Sequence, residues 1–395
     1  MSDYTVVLIS HEYPPYIIGG IGSYCYNLAK VLSEKRIQTI VFCGVSKRIN
    51  VSQVNKYLKV VRLPSFDVPP RYLWFQLRNF RTISKAIKDN CILHAVNPNS
   101  FALFRYLKKK LRVPIVTTIH EHPLAAIKVF SRISLSEWSF GDFRIYAASY
   151  PLDAFFMQAC LRSSDHIIVP GKFTKDYLIK IDRKISQDKI SVVYNGVDLE
   201  EIDKIPSSSK NDANLRIINY GRLVSTKGTL YLLEIMPKIC NKFSNVDLVI
   251  VGKGPLESKI ISKISHLNIK NKVHLRGFLP HSQLIREIKD SDVIVLPTFH
   301  EVGPFISALE AMACKKTLVV FDLCFSREFI TNMRNGLMAK PLDTSDLYDK
   351  VSMALSDSSL RKQLGRNAYD WVKKHHNWRT LSSKYIEIYE KNLHR

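Results

Sequence analysis

The feature that most restricts this chain is a rhythm. Short apolar runs of strand length alternate with amphipathic stretches of helical length, and the rhythm stops and starts again. The first series of strands reads Thr5–Ser10, Ile37–Cys43, Cys91–Val96, Pro114–Ile119, Asp165–Val169 and Ile190–Tyr194, with a helix over Ser23–Ser33 after the first. The second series reads Leu215–Tyr220, Val246–Val251, Lys272–Arg276, Asp292–Leu296 and Thr317–Val320. Strands that are apolar throughout, separated by helices, belong in parallel sheets covered on both faces. The restart predicts two such doubly wound α/β domains, which suits 395 residues. The polar segment 198–214, with Pro206-Ser207-Ser208-Ser209, reads as the linker between residues 1–197 and 215–377, and Trp378–Leu393 reads as a last helix.

Composition removes several classes. Apolar residues make up 46% and charged residues 24%, which is globular. No apolar run approaches the roughly 20 residues that a bilayer needs, and the opening Met1-Ser2-Asp3-Tyr4 has no basic leader. Seven cysteines without a Cys-x-x-Cys argue for buried thiols in a reducing compartment, so a cytoplasmic location is expected. The net charge of +23 is uneven: residues 47–112 hold 15 basic and 2 acidic residues. Within that stretch, 71–88 alternates aromatic or aliphatic residues with cations, and Lys108-Lys109-Lys110 follows. Such a face suits an anionic membrane surface, with the protein peripheral to it, and reads equally as two ordinary helices with solvated basic sides. Nucleic acid is disfavoured, since no binding module accompanies the charge.

Three segments carry candidate chemistry. After the first strand, Gly19-Gly20-Ile21-Gly22 leads into a helix, an arrangement in which backbone amides can meet an anion. No carboxylate ends the second strand (Phe42-Cys43-Gly44-Val45), so a dinucleotide is disfavoured. No Gly-Lys-Ser/Thr makes a Walker loop, and a glycine turn without ligand stays open. The second series opens Tyr220-Gly221-Arg222-Leu223-Val224-Ser225-Thr226-Lys227-Gly228, with two cations between a strand and a helix. Such a pair neutralises a diphosphate without a metal, or else forms an ordinary basic loop. Then Leu296-Pro297-Thr298-Phe299-His300-Glu301-Val302-Gly303-Pro304-Phe305 runs into an apolar helix carrying Glu310, about two turns in. A carboxylate among Ala308, Leu309, Ala311 and Met312 is costly to bury without a partner; sugar hydroxyls, an ion pair or solvent would each supply one.

Taken together, Gly-Arg-Leu-x-x-x-Lys-Gly, Val251-Gly252-Lys253-Gly254-Pro255, Gly277-Phe278-Leu279-Pro280 and Glu301…Glu310-Ala311-Met312-Ala313 resemble the retaining nucleotide-sugar glycosyltransferases of the GT-B fold, family 4. The strand-end His120 and Asn195-Gly196-Val197-Asp198 fit as well. The resemblance implies two Rossmann-like domains facing across a cleft, with the acceptor on 1–197 and the donor on 215–377. The helix 378–395 would return to the first domain. It implies a UDP- or GDP-sugar donor, no cofactor and no metal, and a glycan or lipid-linked acceptor receiving a hexose with retention of configuration. Arg222 and Lys227 would hold the diphosphate and Glu310 the ribose. Glu301 and the backbone of Gly303, Pro304 and Phe305 would hold the sugar. Gly277, Phe278 and Leu279 would border the base. Gly19, Gly20 and Gly22 would close on the phosphates, with His120 near the anomeric carbon. The chain departs from the family in two places: one extra residue separates Glu301 from Glu310, and Cys314-Lys315-Lys316 replaces a small-Gly turn. Another nucleotide-sugar enzyme on the same scaffold, a phosphorylase or an epimerase, is the alternative, and a non-catalytic binding protein is a third.

Overall fold

A computed structural model of the chain describes residues 4–15, 20–46, 48–65, 71–87, 90–96, 113–120, 150–208, 214–301 and 303–393. They form two compact units, one drawn from 4–120, 150–195 and 378–393, the other from 196–377.

In the first unit, β1 (Thr5–Ile9), α1 (Gly20–Glu34), β2 (Gln38–Ser46), β3 (Asn50–Asn55), β4 (Leu58–Pro64), α2 (Arg71–Ala86), β5 (Cys91–Ala95) and β6 (Ile115–Thr118) come first. Then follow α3 (Tyr150–Ser163), β7 (His166–Val169), α4 (Lys172–Ile181) and β8 (Ile190–Val192). The strands make one sheet in the order β3-β4-β2-β1-β5-β6-β7-β8, all parallel except β3, which is antiparallel to β4. The apolar strands are apolar for a reason: β5, β6 and β7 are buried along their whole length. The hairpin β3–β4 departs from the reading above. Asn50–Asn55 lies exposed at the sheet edge and carries no apolar run.

The second unit begins with α5 (Leu199–Lys204), β9 (Leu215–Tyr220), α6 (Thr229–Lys242), β10 (Val246–Val251) and α7 (Glu257–His266). It continues through β11 (Val273–Gly277), α8 (His281–Lys289), β12 (Val293–Leu296), α9 (Ile306–Ala313), β13 (Thr317–Phe321), β14 (Leu337–Ala339), α10 (Thr344–Ser356) and α11 (Ser358–His375). Its parallel sheet has the order β11-β10-β9-β12-β13-β14. The segment read as a linker is therefore structured at its start: Asp198 caps α5 by accepting from the Glu201 amide at 3.0 Å, and Leu199 and Ile202 join the core. The two ends of the unit meet, because the Val197 amide donates to the His376 carbonyl at 2.8 Å.

α12 (Trp378–Leu393) belongs to the first unit. Its inner face carries Trp378, Tyr385 and Tyr389, all within 1% of full burial. The Tyr389 hydroxyl lies 2.6 Å from His94 Nδ1, His94 Nε2 lies 2.7 Å from Thr118 Oγ1, and Tyr24 OH joins Thr118 to Tyr385 at 3.0 and 2.9 Å. A buried polar chain of this kind thus ties α1, β5, β6 and α12 together. No cysteine is bonded to another; Cys324 is exposed and Cys240 half-buried, so not all seven are core thiols.

Candidate active site

In a doubly wound sheet, ligands settle at the carboxyl ends of strands where the winding direction reverses. In the second unit that point falls between β9 and β12, neighbours whose crossovers run opposite ways. It is braced from below: Asn219 donates to the Val295 carbonyl at 2.8 Å and accepts from Thr229 at 2.9 Å, linking β9, β12 and α6.

The loops leaving these two strands carry the candidate residues. After β9 the chain passes Gly221, makes a single 3-10 turn at Ser225–Lys227 and enters α6 through Gly228 in the left-handed region, φ +69°. The Thr226 carbonyl accepts from the Phe299 amide at 3.0 Å and from Thr298 Oγ1 at 3.1 Å, which clamps this turn to the loop after β12. Lys227 consequently meets Glu301: Nζ donates to Oε1, and the same Nζ stands 5.6 Å from the centroid of the Phe305 ring. Both charged side chains are partly exposed, at 27% and 18%. Lys227 and Glu301, read separately as diphosphate and sugar ligands, are thus direct partners. Arg222 is exposed on the same loop.

α9 starts at Ile306, with Phe305 as its cap residue, so Glu310 stands about one turn into the helix rather than two. First-turn amides of a helix have no carbonyl partner within it and carry partial positive charge. Gly303, Pro304 and Phe305 are all buried before this end, and Phe305 packs edge-on against Phe329 at 5.7 Å. Val302 lies outside the described residues. Glu310 is only 8% exposed, and His281 Nε2 lies 2.9 Å from its Oε1. His281 was missed by sequence reasoning, although it directly follows Gly277-Phe278-Leu279-Pro280. Its own pKa is raised, chiefly by the hydrogen bond to Glu310, against the opposing effect of burial.

The β11 end borders this region. Gly277 has φ +63° and its carbonyl accepts from Gly252 at 2.8 Å; Phe278 is 67% exposed, while Leu279 packs on the core. Gly252 and Gly254 sit where a side chain cannot: a Cβ would come within 1.9 Å of the Gly221 carbonyl oxygen and 2.3 Å of that of Leu223. Backbone thus lies directly on backbone below Arg222.

In the first unit, Gly19 lies outside the described residues. α1 begins at Gly20 and not at Ser23, so Gly20 and Gly22 are helical, the first exposed and the second buried. His120 follows β6. Its Nε2 is buried and lacks a hydrogen-bond partner among the described residues, and its ring lies edge-on to Tyr24 at 4.3 Å. Burial lowers its pKa to about 4, with Glu12 acting the other way, so the imidazole is neutral near pH 7. A neutral ring with an open, desolvated nitrogen is poised to donate or accept one hydrogen bond.

Comparison with known proteins places this geometry. Residues 200–371 match the profile of the glycosyl transferases group 1 family, and residues 18–201 that of glycosyltransferase family 4. An uncharacterized glycosyltransferase of Methanocaldococcus jannaschii is 27% identical, covering 98% of this chain and 97% of its own. The phosphatidylinositol N-acetylglucosaminyltransferase GPI3 subunit of Saccharomyces cerevisiae is 22% identical over 94% of this chain and 80% of its own. Among solved structures, sucrose-phosphate synthase from Thermosynechococcus elongatus matches with a TM-score of 0.80 at 18% identity, covering 98% of each chain. Anabaena HepE in complex with UDP and glucose matches with a TM-score of 0.72 at 15% identity, over 98% of this chain and 100% of its own. These likenesses establish the GT-B fold. With two family profiles spanning most of its length, the chain belongs to the group 1 glycosyltransferases.

Proposed function

We propose that this enzyme moves a hexose from a UDP- or GDP-sugar onto a hydroxyl of a glycan or lipid-linked acceptor, with retention of anomeric configuration and without a metal. The observation that carries the reading is the meeting of Lys227, Glu301 and Phe305 where the sheet reverses its winding, at the positive end of α9. The bound UDP in the HepE structure and the phosphatidylinositol acceptor in the GPI3 name support the substrate classes.

In this reading the acceptor oxygen bonds to the anomeric carbon from the face that the diphosphate leaves. The bond from that carbon to the phosphate oxygen breaks, and the hydroxyl proton passes to the leaving phosphate. Arg222 and Lys227 meet the charge that develops on the leaving group, a role cations fill where a metal is not used. Glu301 holds Lys227 in place and contacts the sugar, Glu310 binds the ribose, Gly277, Phe278 and Leu279 border the base, and His120 is the first unit's candidate for a catalytic hydrogen bond to the substrate. Lys227→Ala should lower turnover about 100-fold or more, while EDTA leaves the unaltered enzyme's rate unchanged. Near-normal turnover in the variant, or loss of activity in EDTA restored by a divalent ion, would overturn the assignment.

The acceptor side of the proposal includes a membrane. α2 buries Phe75, Gln76, Asn79 and Ile83 and exposes Trp74, Leu77, Arg78, Arg81 and Lys85. No helix among the described residues is long and apolar enough to cross a bilayer. The exposed face supports peripheral docking on an anionic cytoplasmic membrane surface. The part of the basic stretch at 97–112 lies outside the described residues.

A further inference from the structure

Glu310 projects from a helix whose neighbouring residues Ala308, Leu309, Ala311 and Met312 are fully buried. A carboxylate so placed needs a partner. Its partner is His281, the first residue of α8, whose Nε2 lies 2.9 Å from Glu310 Oε1. The other ring nitrogen, Nδ1, lies 4.0 Å from Glu201 Oε1 on α5, and Asp198 caps that helix. The imidazole therefore stands between a buried carboxylate and an exposed one. In its doubly protonated form it can offer an N–H to each. Glu310 Oε2 takes no part in this contact. Behind it, Tyr220 OH donates to the Ser307 carbonyl and so fixes the first turn of α9.

We infer that His281 is a positioning residue for the donor nucleotide: it holds Glu310 through Oε1 and leaves Oε2 for the hydroxyls of a ribose. The inference rests on the reading of Glu310 as the ribose ligand. It assigns α8 a part in choosing a ribonucleoside diphosphate over its 2′-deoxy form, because a carboxylate free to rotate offers no fixed acceptor to a diol. The groups facing His281 are Glu310 on α9 and Glu201 and Asp198 on α5, with Tyr220 beyond Glu310. All three carboxylates favour the imidazolium, which is the form that makes both contacts. Raising the pH through the elevated pKa of His281 leaves the ring a single N–H, which can serve Glu310 or Glu201 but not both, and so weakens the clamp.

The test titrates the full chain with UDP, GDP, their 2′-deoxy forms and pyrophosphate, measuring Kd by calorimetry, after circular dichroism has shown each variant folded. His281→Ala should weaken the preferred ribonucleotide about tenfold. It should also abolish the preference over the deoxy form and leave pyrophosphate affinity unchanged. His281→Gln, whose amide can still donate to Oε1, should keep the preference but lose its pH dependence. An equal loss for all ligands in His281→Ala, or an intact ribose preference, would overturn the inference. Glu310→Ala separates the two levels. If it abolishes the preference while His281→Ala does not, the positioning role alone fails. If Glu310→Ala also keeps the preference, the ribose reading of Glu310 fails and takes this inference with it.

Discussion

Gly228 shows how one backbone position governs a charged side chain. It ends the 3-10 turn that presents Lys227, in a left-handed conformation, and a Cβ there would sit 2.1 Å from the Pro297 carbonyl oxygen. Gly228→Ala should therefore cost about 2–4 kcal/mol, from left-handed strain and overlap together. It should also lower activity, because relief of the overlap parts the Lys227 turn from the loop bearing Glu301; urea unfolding and turnover measure the two effects. At this scale the sequence displays chemistry better than contacts. A cation and a carboxylate at strand ends were legible as Lys227 and Glu301. That each is the other's partner was not, because 74 positions separate them. His281 escaped notice for the same reason: it meets Glu310 across 29 positions, from a different helix, and no periodicity relates the two.

Elements were legible where burial imposes a pattern. Strands packed on both faces, such as Val293–Leu296, must be apolar throughout and announce themselves. The edge strand Asn50–Asn55 faces solvent and is free to be polar, and Leu337–Ala339 is too short to leave a period. Helix α5 did leave a signal, Asp198 followed three residues later by Glu201, which was outweighed by the polar composition around it. α2 was legible as a basic amphipathic stretch, and the structure adds that Trp74 and Leu77 stand 40% and 54% exposed on the side of Arg78, Arg81 and Lys85. Vesicles containing anionic lipid should float the protein at low salt and release it at high salt, and Trp74→Ala with Leu77→Ala should reduce flotation even at low salt. Failure of the unaltered protein to float would remove the membrane from the proposal.

The whole molecule should answer acid unevenly. His94 and His120 both belong to the first unit, and burial holds their pKa values at about 3 and about 4. An unfolded histidine titrates near 6.5. Their effect on stability is therefore absent above about pH 6.5 and grows as pH falls, since the unfolded chain takes up protons that the folded one refuses. At pH 5 His94 alone lowers stability by roughly 2 kcal/mol, with His120 acting in the same sense. Hydrogen exchange between pH 7 and pH 4.5 should show β5, β6 and α12 losing protection before β9, β12 and β13; simultaneous loss would count against it.

The place of α12 also bears on how the protein is made. Trp378–Leu393 completes the first unit, yet it follows all of 196–377 in the order of synthesis, and the ends of that second unit are joined at Val197 and His376. On the ribosome, the half begun first has to wait, its His94 and Tyr24 without Tyr389 and Tyr385, until the half begun second has emerged. Domains usually mature in the order in which they are translated. Here the first unit cannot be completed until the second has been translated, so its completion is deferred to the end of synthesis.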